Sequence, residues 1–177
     1  MIERCPYRHF ADLTENQQDQ MLALLNRGDG EIQRRPWNES HLIGHRPVAL
    51  LMDEKVIAAM VTDKDHHVVH WAGKTNRKFL DEFKRTPAME LMRSHIEQLK
   101  GRPLTFHGVF EEDGTRWPFG FAEGNLFKNR YSKHGIQPEI RDGVWNYDVS
   151  KLPESVREKL KPKIPCNDSV WRLYRPH

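Results

Sequence analysis

The chain has 177 residues, 37% of them hydrophobic and 30% charged, which suits one polar domain with its own core and excludes a disordered or membrane-embedded chain. No apolar run approaches the ~20 residues that cross a bilayer. The start, Met1-Ile2-Glu3-Arg4-Cys5-Pro6, lacks the apolar stretch of a secretory signal, so a cytoplasmic location is expected. The net charge of +3 permits nucleic-acid contact without requiring it, and the excess gathers in residues 74–85 and 151–175.

Cys5 and Cys166 stand near opposite ends of the chain. They are most simply two free thiols in a reducing compartment; a terminus-to-terminus disulfide is the alternative. Residues 7–13 alternate roughly and suggest a first strand. Thr14 and Gln17 form a capping box that opens a helix carrying Met21, Leu22, Leu24 and Leu25 on its buried side and stopping at Arg27-Gly28. Residues 29–46 make a polar passage with Arg34-Arg35-Pro36-Trp37 at its middle. Arg34, Arg35 and Trp37 are candidate substrate contacts; the plainer reading is a surface loop anchored by a buried Trp37.

Two apolar runs, 48–52 and 56–61, flank the turn Asp53-Glu54-Lys55 and predict an antiparallel hairpin. A second turn leads into a third strand over 66–71. Strict alternation there puts His66 and His70 on one face, His67 and Trp71 on the other. A basic connector, 74–85, then reaches a helix over 87–99, with Thr86 as N-cap and Pro87 at its first position. Its predicted buried stripe is Ala88, Met92, His95, Ile96 and Leu99. A strand running through a basic connector into a helix start is a candidate anion site, because the first-turn N–H groups and the helix dipole favour negative charge.

Residues 104–110 predict a strand, 111–118 a loop, and 119–134 a helix weakened by Gly120 and Gly124. Residues 136–140 and 144–149 read as a hairpin around Asp142-Gly143. A short basic helix follows over 154–160, and 170–174 suggest an edge strand. Two units are expected: residues 1–150 as the main domain and 151–177 as a basic extension packed on it. The element order predicts an α+β fold with a mixed, mainly antiparallel central sheet flanked by helices.

The segment Arg130-Tyr131-Ser132-Lys133-His134-Gly135-Ile136-Gln137-Pro138 resembles the Tyr-Glu-Lys-x-Gly-Phe-x-Pro segment of the GNAT superfamily of N-acetyltransferases. Tyr131, Lys133, Gly135 and Pro138 match, and Ile136 stands where that family usually has Phe. The element order from about residue 7 to 149 is also similar to that fold, a three-layer α/β/α arrangement. The resemblance implies an acyl-CoA-dependent acyltransferase, with acetyl-CoA or another acyl-CoA as cofactor. Its acceptor would be a small-molecule amine or a protein lysine. It implies Tyr131 as the acid for the leaving thiolate, a sensible role for a phenol that is protonated at neutral pH.

It further implies a pyrophosphate loop at the start of the 87–99 helix, where the chain reads Phe83-Lys84-Arg85-Thr86-Pro87-Ala88. Ala88 fits that pattern, whereas Thr86 replaces its first Gly and Pro87 removes an N–H. Either Lys84, Arg85, Thr86 and Ala88 hold the phosphates in a divergent way, or the cofactor site is lost. His67 and His70 are candidate bases, near the place where the family often has a Glu.

A metal reading of His66, His67 and His70 lacks a third ligand on one side unless His107 joins His70 across a ladder, so no metal is expected. No nucleophile elbow, phosphate-binding loop or dinucleotide fingerprint is present. Two other functions stay open. The basic connector, the Arg pair and five Trp residues suit a nucleic-acid-binding or nucleic-acid-modifying protein, and the degenerate loop suits a non-catalytic interaction module.

Overall fold

The computed structural model describes residues 6–26, 37–107, 109–111, 114–116, 139–141 and 144–176. Its central sheet has seven strands: β1 (Tyr7–His9), β2 (Arg46–Met52), β3 (Lys55–Thr62), β4 (Val68–Gly73), β5 (Leu104–His107), β8 (Glu139–Arg141) and β9 (Val144–Tyr147). Their order is β1-β2-β3-β4-β5-β9-β8. Every neighbouring pair is antiparallel except β4 and β5. A separate hairpin joins β6 (Val109–Glu111) to β7 (Gly114–Arg116). The helices are α1 (Glu15–Leu25), α2 (Glu39–Leu42), α3 (Arg77–Phe83), α4 (Pro87–Gln98) and α5 (Glu154–Lys159).

Local chemistry sets most of these boundaries. The Thr14 hydroxyl accepts from Gln17 N while the Gln17 side chain accepts from Thr14 N, closing the box that starts α1. The first strand is shorter than the alternation predicts, because the His9 ring accepts from Ala11 N and folds 10–12 into a 3-10 turn. Residues 74–85 hold a helix that the sequence reading treats as plain connector. Asn76 caps it by accepting from Phe79 N, and Lys84 ends it in the left-handed region at φ 56°. Its one apolar repeat, Phe79 against Phe83 at 4.6 Å between rings, is masked by the charges around it.

Two cores lie on the two faces of the sheet, giving the α/β/α layering. Met21, Leu24 and Leu25 of α1 pack with Ala49, Val56, Ala59 and Val61 on one side. Leu91 and Met92 of α4 and Phe79 of α3 pack with Leu50, Met60, Val68, Trp71 and Phe106 on the other. Burial on α4 extends well beyond an apolar stripe: Glu90, Arg93, Ser94, His95 and Gln98 are buried as well. The chain after residue 151 lies over its outer face. There the expected edge strand at 170–174 is a 3-10 turn (Asp168–Trp171) and a lone parallel bridge from Tyr174 to Ile43. Residues 111–118 hold part of the β6–β7 hairpin rather than loop alone. The predicted helix over 119–134 lies outside the described residues. No helix among the described residues is long and apolar enough to cross a membrane.

Candidate functional site

The parallel pair β4–β5 meets at Val68 opposite Phe106. From there β5 ends at His107, and the chain turns out of the sheet to pair β6 with β7. Among the described residues Val68–Phe106 is the one ladder pair between β4 and β5, against three or more in every antiparallel pair, and the unladdered stretch of β4 beyond it is a wedge in the sheet. A bulge sits at the apex. Val61 faces His70 and Thr62 faces Val68, so Val69 is an extra residue on β4. A bulge bends its strand and increases local twist, here at the residue that follows the β4–β5 pair.

The bulge also corrects the predicted facing of the histidines. With Val69 inserted, Val68 and Trp71 share the α4 face, and His70 takes the opposite one. His66, in the turn before β4 at φ 66°, meets Gln98 of α4, so His66 and His70 lie on opposite sides. The His67 ring meets the Thr105 hydroxyl, on the opposite face of β5 from Leu104 and Phe106. His67 and His70 therefore share the α1 face, and Trp71 is not with His67.

On that face His70 donates from Nε2 to the Leu25 carbonyl at the end of α1, 2.7 Å away. Its ring stacks on Trp37, with centroids 5.6 Å apart and planes 6° apart. Trp37 is half-buried and pinned through its backbone N–H and C=O to the Asn26 side chain. His67 sits between Thr105 and the Asp63–Asp65 turn, and the ligand atoms of Asp63, Asp65 and His67 lie within 4.8 Å of one another. One Asp63 oxygen already accepts from Asp65 N and His67 N, both at 2.9 Å, closing the turn. Burial first, then Arg46 and Arg102, hold the His66 imidazole below its usual range, against the raising effect of Asp63 and Asp65.

The start of α4 is built differently. Pro87 has no N–H. The Thr86 hydroxyl accepts from Met89 N, and the Thr86 carbonyl accepts from Glu90 N. Ala88 sits against Gly73, where an added Cβ would lie 2.6 Å from Ala88 Cβ and 3.1 Å from Ala88 N. The Ala88 carbonyl accepts from Trp71 Nε1 at 2.8 Å. Arg85 turns away from the helix start to the fully buried Glu90 carboxylate at 2.8 Å and the Lys161 carbonyl at 3.0 Å. Glu90 also accepts from Lys163 N and Ile164 N, so it latches the C-terminal chain onto α4. Lys84 is exposed and has no ion-pair partner among the described residues.

Of the predicted site residues, the fold brings His67, His70 and Trp37 to one face beside the wedge, and Thr86 and Ala88 to its other side. Arg34, Arg35 and Tyr131 lie outside the described residues, as does Cys5. Thr105, Asp63 and Glu90 escaped the sequence reading. Glu90 carried one signal, an acid inside a predicted buried stretch, which a helix-period reading assigns to solvent.

No family model matches the chain, and no curated protein matches it. Among solved structures, the chain is similar to an acyl-CoA N-acyltransferase from Pseudomonas aeruginosa, with TM-score 0.41 and 14% identity over 80% of this chain and 93% of that one. It is also similar to ElaA from Escherichia coli, with TM-score 0.36 and 12% identity over 80% of this chain and 95% of that one. The architecture itself is α+β: a mixed sheet between helical layers, with one parallel pair, β4–β5, inside it.

Proposed function

We propose that the chain is an acyl-CoA-dependent acyltransferase acting on an amine, either a small molecule or a protein lysine. The observation that carries this reading is the wedge between β4 and β5 with the bulge at its apex. An extended, amide-bearing arm suits such a gap, because it can lie along an unladdered stretch of strand as a short strand would. The cofactor would supply an activated acyl thioester. The second part of the fit is poorer. A pyrophosphate needs donors at the start of α4, and Pro87, Thr86 and Ala88 leave that turn closed. Lys84 is the cation there that remains for phosphate.

In this reading His67 takes the proton from the attacking ammonium, beside Thr105 and the Asp63 turn. His70 is less suited to that role, since its Nε2 proton is held by the Leu25 carbonyl. It forms a wall with Trp37 instead. Tyr131 is assigned to the leaving thiolate by the resemblance of its segment. The test is thiol release from acetyl-CoA with a panel of amines and lysine peptides. Release in step with N-acetylation of one acceptor supports the reading; no release with any amine, despite bound cofactor, overturns it.

The closed α4 start favours a second reading, a GNAT-like interaction module without the cofactor. A melting temperature unmoved by millimolar acetyl-CoA would select it. Retention on DNA or RNA that falls steeply with salt would instead favour nucleic acid as partner.

A further inference from the structure

The C-terminal chain is fastened to the domain in two places with different chemistry. The first is the Glu90 latch, a carboxylate held by Arg85 and the N–H groups of Lys163 and Ile164. The second, around Trp171 to Tyr174, rests on histidines. The Trp171 ring lies 5.2 Å from the fully buried His95 ring. The Arg172 carbonyl accepts from His9 Nε2 at 3.1 Å, and His9 is 1% exposed. Arg46 donates to the Trp171 carbonyl at 2.7 Å.

Each of these imidazoles has its δ nitrogen in use as an acceptor. His9 Nδ1 accepts from Ala11 N at 3.0 Å. His95 Nδ1 accepts from the Gln98 amide at 2.9 Å, and the same amide reaches His66 Nδ1 at 3.5 Å. Protonating any of these nitrogens removes an acceptor and puts a second charge-bearing N–H where no acceptor waits. We propose that residues 168–176 form an acid-released strap, which detaches from the sheet edge while the core stays folded once the imidazoles beneath it take up protons. The inference does not depend on the acyltransferase reading.

The surrounding charges act in the same direction. His95 faces His66 and Arg102, and His66 faces Arg46 and Arg102, with Asp63 and Asp65 opposing. His9 faces Arg172, with Asp12 opposing. Burial lowers His95 to about 3 and, with Arg172, His9 to about 4. A released imidazole titrates near 6.5, so the released strap binds more protons than the fastened one between about 6.5 and about 4. Fastening is then complete above pH ~6.5 and weakens by about tenfold per pH unit for each such histidine as pH falls.

Release can be local because the strap has little backbone pairing. It holds through Gly44 N to Tyr174 O, Tyr174 N to His45 O and the lone bridge to Ile43, whereas β2 and β3 pair along their whole length. The Tyr174 hydroxyl also donates to Glu39 of α2.

Hydrogen exchange of the full chain, corrected for intrinsic rates, tests this between pH 7.5 and 4.5. Protection of residues 168–176 should fall by more than tenfold per pH unit below ~6.5, while residues 46–62 keep theirs. His9→Gln with His95→Gln, whose amides cannot take up the proton, should remove most of that slope. If the double variant fails to fold, His9→Gln alone should reduce the slope by about tenfold per unit, since its amide can still accept from Ala11 and donate to Arg172. Protection that is independent of pH, that is lost together with residues 46–62, or that keeps the same slope in the folded variant overturns the proposal.

Discussion

The two sides of the wedge present similar polar residues and do opposite things with them. On the α1 face, the His67 ring meets the Thr105 hydroxyl, and His70 donates to the Leu25 carbonyl and stacks on Trp37. At the start of α4, Arg85 meets the buried Glu90 carboxylate, which also accepts from the C-terminal chain, and the exposed Thr86 hydroxyl caps Met89 N. An arginine beside a helix start therefore does not by itself make an anion site. What decides is whether its guanidinium is already satisfied, and here a buried carboxylate satisfies it. We read the α1 face as the reactive side and the α4 start as a structural joint.

The largest effect expected from this contrast is on stability. Glu90→Ala would leave Arg85 and two backbone N–H groups without their acceptor, at a cost of about 3 to 5 kcal/mol. Urea unfolding reads this, and a loss under 1 kcal/mol would mean the latch is dispensable. On the other side, His67→Ala should lower acyl transfer by about 10²-fold or more while changing the unfolding midpoint little. His70→Asn should instead lower stability with a smaller effect on turnover. Equal losses of turnover in both would erase the distinction between them.

Smaller effects probe the joint itself. Gly73→Ala drives a methyl into Ala88 at 2.6 Å and should cost about 1 to 3 kcal/mol. Ala88→Gly in the same chain should restore most of it in a double-mutant cycle. Thr86→Ala removes the cap on Met89 N and should cost about 1 kcal/mol without weakening acetyl-CoA binding. A marked loss of affinity there would return the α4 start to the binding site.

Much of this frame is legible in the sequence, because the signals are local. Thr14 with Gln17, Thr86 with Pro87, and the turn at Asp53–Lys55 announce their elements through short-range chemistry. The β4 bulge did not announce itself. Residues 66–71 alternate well enough to suggest a regular strand, and only the pairing with Val61 and Thr62 shows that Val69 is extra. The facing of His66, His67 and Trp71 fails for that one reason. Helix α3 was hidden by its charges. The role of Glu90 was hidden because the backbone N–H groups it holds lie more than seventy residues away in the C-terminal chain. Thr105 became visible as a partner only once β5 stood beside His67. Long-range partners of this kind leave no periodic trace in a sequence.

In the proposed reading the acyl arm of the cofactor lies in the wedge, and the first turn of α4 does not hold it. Hydrogen exchange with and without saturating acetyl-CoA tests it most directly. The account predicts slower exchange in residues 69–73 of β4 and 104–107 of β5, with the first turn of α4 unchanged. Unchanged exchange in both strands, or protection confined to residues 86–90, would contradict it.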